Sequence, residues 1–118
     1  MAFDEHLAFR IRGVLKSKSV FFSEKKMMGG LCFMVDDKMC VGITGNKLMA
    51  RVGETAYNSC LQKKGCHEMT FTGKPLKGFV YVDPNAIDMD EDLETWIQYC
   101  LDFNPFANKN KKTKPNKT

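Results

Sequence analysis

The stretch EKKMMGGLCFMVDDKMCVG, from Glu24 to Gly42, constrains the fold more than any other part of the chain. Successive side chains of a β-strand point to opposite faces, so a strand with one wet face alternates apolar with polar residues. Here Leu31, Phe33 and Val35 form one alternate set and Cys32 and Met34 the other, and neither set is polar. Gly29 and Gly30 precede the run and are read as a turn or bulge between two strands, where glycine lets backbone come close. A strand apolar on both sides either lies between two layers or keeps one side for a partner.

The surrounding pattern places that strand in a fold. Phe3, Leu7, Ile11, Val14 and Leu15 recur at three- and four-residue steps, which predicts a helix over 3–16, with Asp4 and Glu5 at its positive end and Lys16 at its negative end. From Phe22 the period becomes two, and strands are expected near 22–28, 31–35, 39–44 and 47–52. Asp36-Asp37 and Gly45-Asn46 supply tight turns. Connections this short force antiparallel neighbours, because a parallel crossover needs a dozen or more residues.

ETAYNSCLQKKG reads as a second helix of three turns, with Ala56, Tyr57, Cys60 and Leu61 inward and Gly65 as its stop. Two strands near 67–72 and 78–83 follow, joined by TGKPLKG, in which Gly73 and Gly78 are structural positions. A last helix is expected from Met89 to Phe103, with Asp88 as N-cap and Glu91 completing a capping box. The order predicts an α+β domain over 1–106: two layers, an antiparallel sheet with helices on one face. Residues 107–118 are expected to be a disordered lysine-rich tail.

With 118 residues, 43% of them hydrophobic and 27% charged, the chain suits one soluble domain. No apolar run approaches the roughly 18 residues of a membrane span, and the N-terminus lacks the apolar core of a signal peptide. A cytoplasmic location is expected, with no membrane partner. The net charge of +4 resides in the tail: removing Lys109, Lys111, Lys112, Lys114 and Lys117 leaves 13 basic against 14 acidic residues. Such a tail can meet nucleic acid through phosphates, although it has no aromatic ring to stack on bases.

Five cysteines, an odd number without a C-x-x-C pair, and two histidines argue for reduced, buried thiols rather than disulfides or a metal site. Cys66 and His67 are adjacent on a strand and therefore point apart. Asp83, Asp88, Asp90, Glu91 and Asp92 lack the calcium-loop pattern and suit a helix N-terminus. No nucleophile elbow surrounds any serine. The expectation is a protein without catalytic residues, metal or cofactor.

EKKMMGGLCFMVDDKMCVGI, LMARVG and FTGKPLKGFVYVDP, in this order, resemble the N-terminal domain of the TfoX family, also called Sxy, regulators of natural transformation competence. The resemblance runs from the first helix to Phe103. It implies a secretion-chaperone-like fold of order α-β3-α-β2-α, and a role in transcription of competence genes alongside the cyclic-AMP receptor protein. Family members often carry an aromatic where this chain has Met28. Full-length competence regulators add a helical, DNA-binding C-terminal domain where this chain has its lysine tail, so a stand-alone domain is expected.

Two surfaces follow from this reading. If helices cover one face, Leu31, Phe33, Val35, Met39, Val41 and Ile43 are the covered set. Met28, Cys32, Met34, Cys40 and Met49, with either Tyr81 or the pair Val80 and Val82, then form a bare apolar surface for a second copy or another protein. The basic residues of the motif-bearing segments, Lys25, Lys26, Arg51, Lys74 and Lys77, are candidates for a shared rim facing an acidic partner or phosphate. The function expected is non-enzymatic regulation through protein contacts, with nucleic-acid binding by the tail as the alternative.

Overall fold

The computed structural model describes residues 3–27, 29–71 and 73–107. Met28 and the lysine tail from residue 108 onward lie outside them. Helix α1 (Glu5–Ser17) starts where Asp4 accepts the backbone N–H groups of His6 and Leu7 on its carboxylate, at 2.9 and 3.2 Å. This satisfies two donors that a helix start otherwise leaves orphaned. Four strands follow, β1 (Ser23–Met27), β2 (Gly30–Val35), β3 (Lys38–Thr44) and β4 (Lys47–Arg51). Helix α2 (Glu54–Leu61), strands β5 (Cys66–Phe71) and β6 (Lys74–Val82), a 3-10 turn (Pro84–Ile87) and helix α3 (Asp90–Phe103) complete the chain order.

All six strands form one antiparallel sheet in the order β1-β2-β3-β4-β6-β5. The α+β class and the two-layer arrangement stand as the alternation predicted, with β1 as a fourth strand in the first block. Leu7, Ala8, Ile11 and Leu15 of α1, Tyr57 and Cys60 of α2, and Leu93, Trp96, Ile97 and Cys100 of α3 bury against one face. That face supplies Leu31, Phe33, Val41, Ile43, Leu48, Ala50, Val80 and Val82. Among the described residues no helix is long and apolar enough to cross a membrane.

Three local expectations are corrected. Helix α3 begins one residue later than expected, with Met89 as N-cap and no side-chain cap bond; Asp88 belongs to the turn before it. The Asp88 carbonyl instead accepts from Arg10, whose Nη2 also reaches the Asp90 carboxylate, both at 3.2 Å. Helix α2 has two turns, not three, and Gly65 falls beyond its end. Most of TGKPLKG is strand rather than loop, with Pro75 opposite Thr70 in the β5–β6 hairpin.

Gly30 explains itself by distance. A Cβ there would overlap the carbonyl of Ile43 on β3, so only glycine lets the two backbones approach as they do. At the other end of β2, the two-residue turn Asp36-Asp37 joins Val35 to Lys38, with both aspartates at positive φ (57° and 64°). The Lys38 ammonium, almost fully buried, donates to the Asn104 carbonyl at 3.0 Å, and Asn104 Nδ2 donates to Val35 O at 3.2 Å. This pair of bonds fixes the segment after α3 against the sheet.

Candidate functional site

The second face of the sheet holds Cys32, Met34, Met39, Met49 and Met69, with Met27, Leu76, Phe79 and Tyr81 half-buried around them. The bare apolar surface expected there is closed. Cys32 and Met49 have no exposed area and Met34 only 6%. Every side chain of this cluster comes from a strand, so the cover is made by side chains. Phe79 and Tyr81 pack on the methionines, and cations lie over these rings in turn. Lys47 Nζ is 5.7 Å from the Tyr81 centroid and Arg51 Cζ 5.1 Å from that of Phe79.

Cys40 is placed differently from its expected position. Phe33 pairs with Val41 and Met34 with Met39, leaving Cys40 as the extra residue of a β-bulge. A bulge shifts the alternation by one residue. Cys40 therefore joins the helix-side cluster while Met39 moves to the second face, the reverse of the predicted assignment. Val80 and Val82 also lie on the helix side, and Tyr81, opposite Met49, lies on the second face.

The basic residues divide. Lys25 and Lys26 stand exposed on β1, the edge strand, three strands away from β4, or about 14 Å at ordinary strand spacing. Lys74 is exposed at the start of β6. Only Arg51 and Lys77 are brought together, and the reason is a second irregularity. Between the pairs Glu68–Val80 and Thr70–Pro75, the four residues Leu76, Lys77, Gly78 and Phe79 stand opposite the single residue Met69. The strand bows outward there and delivers Lys77 and Phe79 to the end of β4.

Two glycines shape the corner. Gly53 (φ 87°) is the N-cap of α2, without a side-chain cap bond, and Gly78 (φ 93°) lies against it. These are left-handed conformations that other residues adopt only at a cost. The Gly78 carbonyl accepts the N–H groups of Val52 at 2.8 Å and Gly53 at 3.1 Å. A Cβ on Gly53 would overlap the Phe103 ring, so the end of α3 packs directly on this turn. The result is an open depression of about 300 Å³ lined by Arg51, Gly53, Glu54, Thr55, Lys77, Gly78, Phe79, Phe103 and Phe106.

Arg51 is the polar centre of this depression. Its guanidinium lies over both the Phe79 and Phe103 rings, and Nη1 donates to the Met39 carbonyl at 3.3 Å. It makes no ion pair with a carboxylate among the described residues. Burial lowers its pKa, as desolvation of an unpaired cation must. Phe106 is 79% exposed on the rim. Alternation alone could not find this site; the sequence signal for it was the pair of glycine motifs, R-V-G and G-x-P-x-x-G, at whose meeting point it lies.

The thiols offer little chemistry. All five cysteines are free and buried. Burial pushes Cys32 up to about 11 and Cys40 and Cys66 up to about 12, and raises Cys60 and Cys100 as well. Cys66 packs on the helix side, while the ring of His67 is half exposed and bonded to Asp83 at 2.7 Å. Among the described residues no three His, Cys, Asp or Glu side chains are grouped to hold a metal.

A larger depression, about 640 Å³, lies between the end of α2 and α3. Its lining mixes Lys63 and Lys64 with Asp83 and Asp92, so it favours neither sign of charge.

The TfoX N-terminal domain family matches residues 17–104 of the chain. That span begins at the last residue of α1 and ends just past α3, so it contains the whole sheet and both glycine motifs. Neither a curated protein nor a solved structure matches.

Proposed function

Because the chain belongs to the TfoX N-terminal domain family, we propose that it is a non-enzymatic regulatory domain that acts through protein contacts, as a co-regulator of transcription. The observation that carries this reading is the convergence of Arg51, Gly53, Lys77 and Gly78 on one open corner. Residues belonging to separate family motifs meet there, around a cation without a carboxylate partner among the described residues and beside an exposed Phe106. Exposed aromatics and arginine are the side chains that most often anchor protein interfaces. High thiol pKa values and the separation of Cys66 from His67 argue against nucleophilic catalysis.

A photo-crosslinking amino acid in place of Phe106 tests the reading in cells that express the protein naturally. The expected result is one discrete cross-linked protein that disappears in the Arg51→Gln variant. Cross-links no more specific than those from a probe at exposed Lys25 would overturn it.

The second reading rests on the tail, whose five lysines and absence of acids suit phosphate contacts. A DNA gel shift that weakens with salt and vanishes when residues 107–118 are deleted would favour it.

A further inference from the structure

On the reading that the Arg51 corner makes protein contacts, its residues define what it recognises. A half-buried guanidinium carries five donors, and here only one described bond, to Met39 O, engages it. Buried cations are ordinarily paired, because desolvation is costly without a counter-charge. Arg51 Cζ lies 5.1 Å from the Phe79 centroid and 5.8 Å from that of Phe103, and Lys77 adds a second positive charge to the same depression. The apolar part of the lining is aromatic: Phe79, Phe103 and the exposed Phe106. One acid, Glu54, also lines it and is exposed.

We propose that this corner docks an acidic peptide segment of a partner protein. Arg51 and Lys77 receive a carboxylate, and Phe79, Phe103 and Phe106 receive the apolar residue beside it. Charge favours a single carboxylate over a polyanion. Without the tail lysines the chain has 13 basic and 14 acidic residues, so the domain offers an extended phosphate backbone no net attraction, while this corner sets two cations against the single acid Glu54. The depression has room for a side chain or two, not for a strand of bases. The carboxylate can be a chain end or an acidic side chain.

The test is a titration of the 15N-labelled full chain, followed by amide shifts. Three probes separate the sources: acetyl-Asp-Phe-Asp-amide with side-chain carboxylates, acetyl-phenylalanine with a chain-end carboxylate, and neutral acetyl-Asn-Phe-Asn-amide. One or both acidic probes should shift Gly53, Glu54, Thr55, Gly78 and Phe79. The neutral peptide should bind about tenfold more weakly, which corresponds to roughly 1.4 kcal/mol. Lys77→Gln, at an exposed side chain that carries no packing, should weaken the acidic probe severalfold. Glu54→Gln should tighten it by removing a competing carboxylate.

Equal binding of acidic and neutral peptides overturns the proposal. So does indifference to Lys77→Gln, or displacement of the acidic probe by a single-stranded oligonucleotide at lower concentration. If the peptides fail while the Phe106 cross-link still depends on Arg51, the ligand chemistry is wrong and the protein-contact reading survives. If both fail, that reading fails with it.

Discussion

The two faces of the sheet are both buried, but by different means. The helix-side face draws its cover from three helices and is built from branched and aromatic side chains such as Phe33, Ile43, Leu48, Ile97 and Trp96. Among the described residues no helix lies over the second face, and four of the five that it buries are methionines. An unbranched thioether has three rotatable bonds and can lie along a surface that no second layer shapes. Aromatic rings pack on those methionines, and Lys47 and Arg51 lie over the rings. A layer of secondary structure can thus be replaced by long side chains, provided that their charged tips stay in water.

The largest effect is expected from Met49→Lys. Met49 has no exposed area and its methyl group packs against Gly42, so a lysine there cannot reach water without opening the sheet. An unpaired buried ammonium costs several kcal/mol, a large part of a domain's typical 5–15 kcal/mol. Urea unfolding monitored by circular dichroism should show a severely destabilised or unfolded protein. A variant as stable as the parent would mean that the second face is open after all.

Alkaline pH should act next. A thiol whose folded pKa lies above its unfolded value near 8.5 stabilises the fold fully below that value. The contribution is lost as pH rises toward the folded pKa. Cys32 (about 11), Cys40 and Cys66 (both about 12) define a window from about pH 8.5 upward, with Cys60 and Cys100 shifted the same way. Each thiol costs roughly 1.4 kcal/mol per pH unit within it. Four of the five lie in the helix-side cluster. Cys32→Ala should therefore leave most of the alkaline loss in place, measured as denaturation midpoints at pH 7.5, 9 and 10.

Paired substitutions sharpen the contrast in packing. Phe33→Ala removes a fully buried ring from the layered face and should cost about 3–5 kcal/mol. Met49→Leu keeps its volume on the adaptable face and should cost less than about 1.5 kcal/mol. If the leucine costs as much as the alanine, the methionine face is as rigidly specified as the helical one.

Much of this arrangement was legible in the alternation of LCFMV, because the short turns on either side preserve parity from strand to strand. Parity failed at Cys40, where Met39, Cys40 and Val41 are all apolar and nothing in their chemistry marks an extra residue. The basic rim failed for a topological reason: successive hairpins carry β1 to the edge, so Lys25 and Lys26 cannot meet Arg51. The placing of Arg51 and Lys77 around one depression needed both the β4–β6 pairing and the bowing of β6. The glycines of its two motifs were visible, but not that they touch.

The smallest effect tests whether the two faces unfold together. Asp36 and Asp37 both sit at positive φ in the β2–β3 turn, a conformation that favours asparagine and glycine. Asp37→Gly removes the Cβ conflict at the second position and should stabilise the fold by up to about 1 kcal/mol. Greater freedom of glycine in the unfolded chain takes back part of that gain. Alkylation of Cys32 and Cys100 then reports on each face separately, since both thiols have no exposed area and react only when their surroundings open. Cys100, beneath α3, should be labelled only through global unfolding, so Asp37→Gly should slow it by about the full stability gain, up to roughly fivefold. Cys32, covered by side chains alone, should open more readily and respond less. Equal slowing at both thiols would show that the methionine face is as cooperative a part of the fold as the helical one.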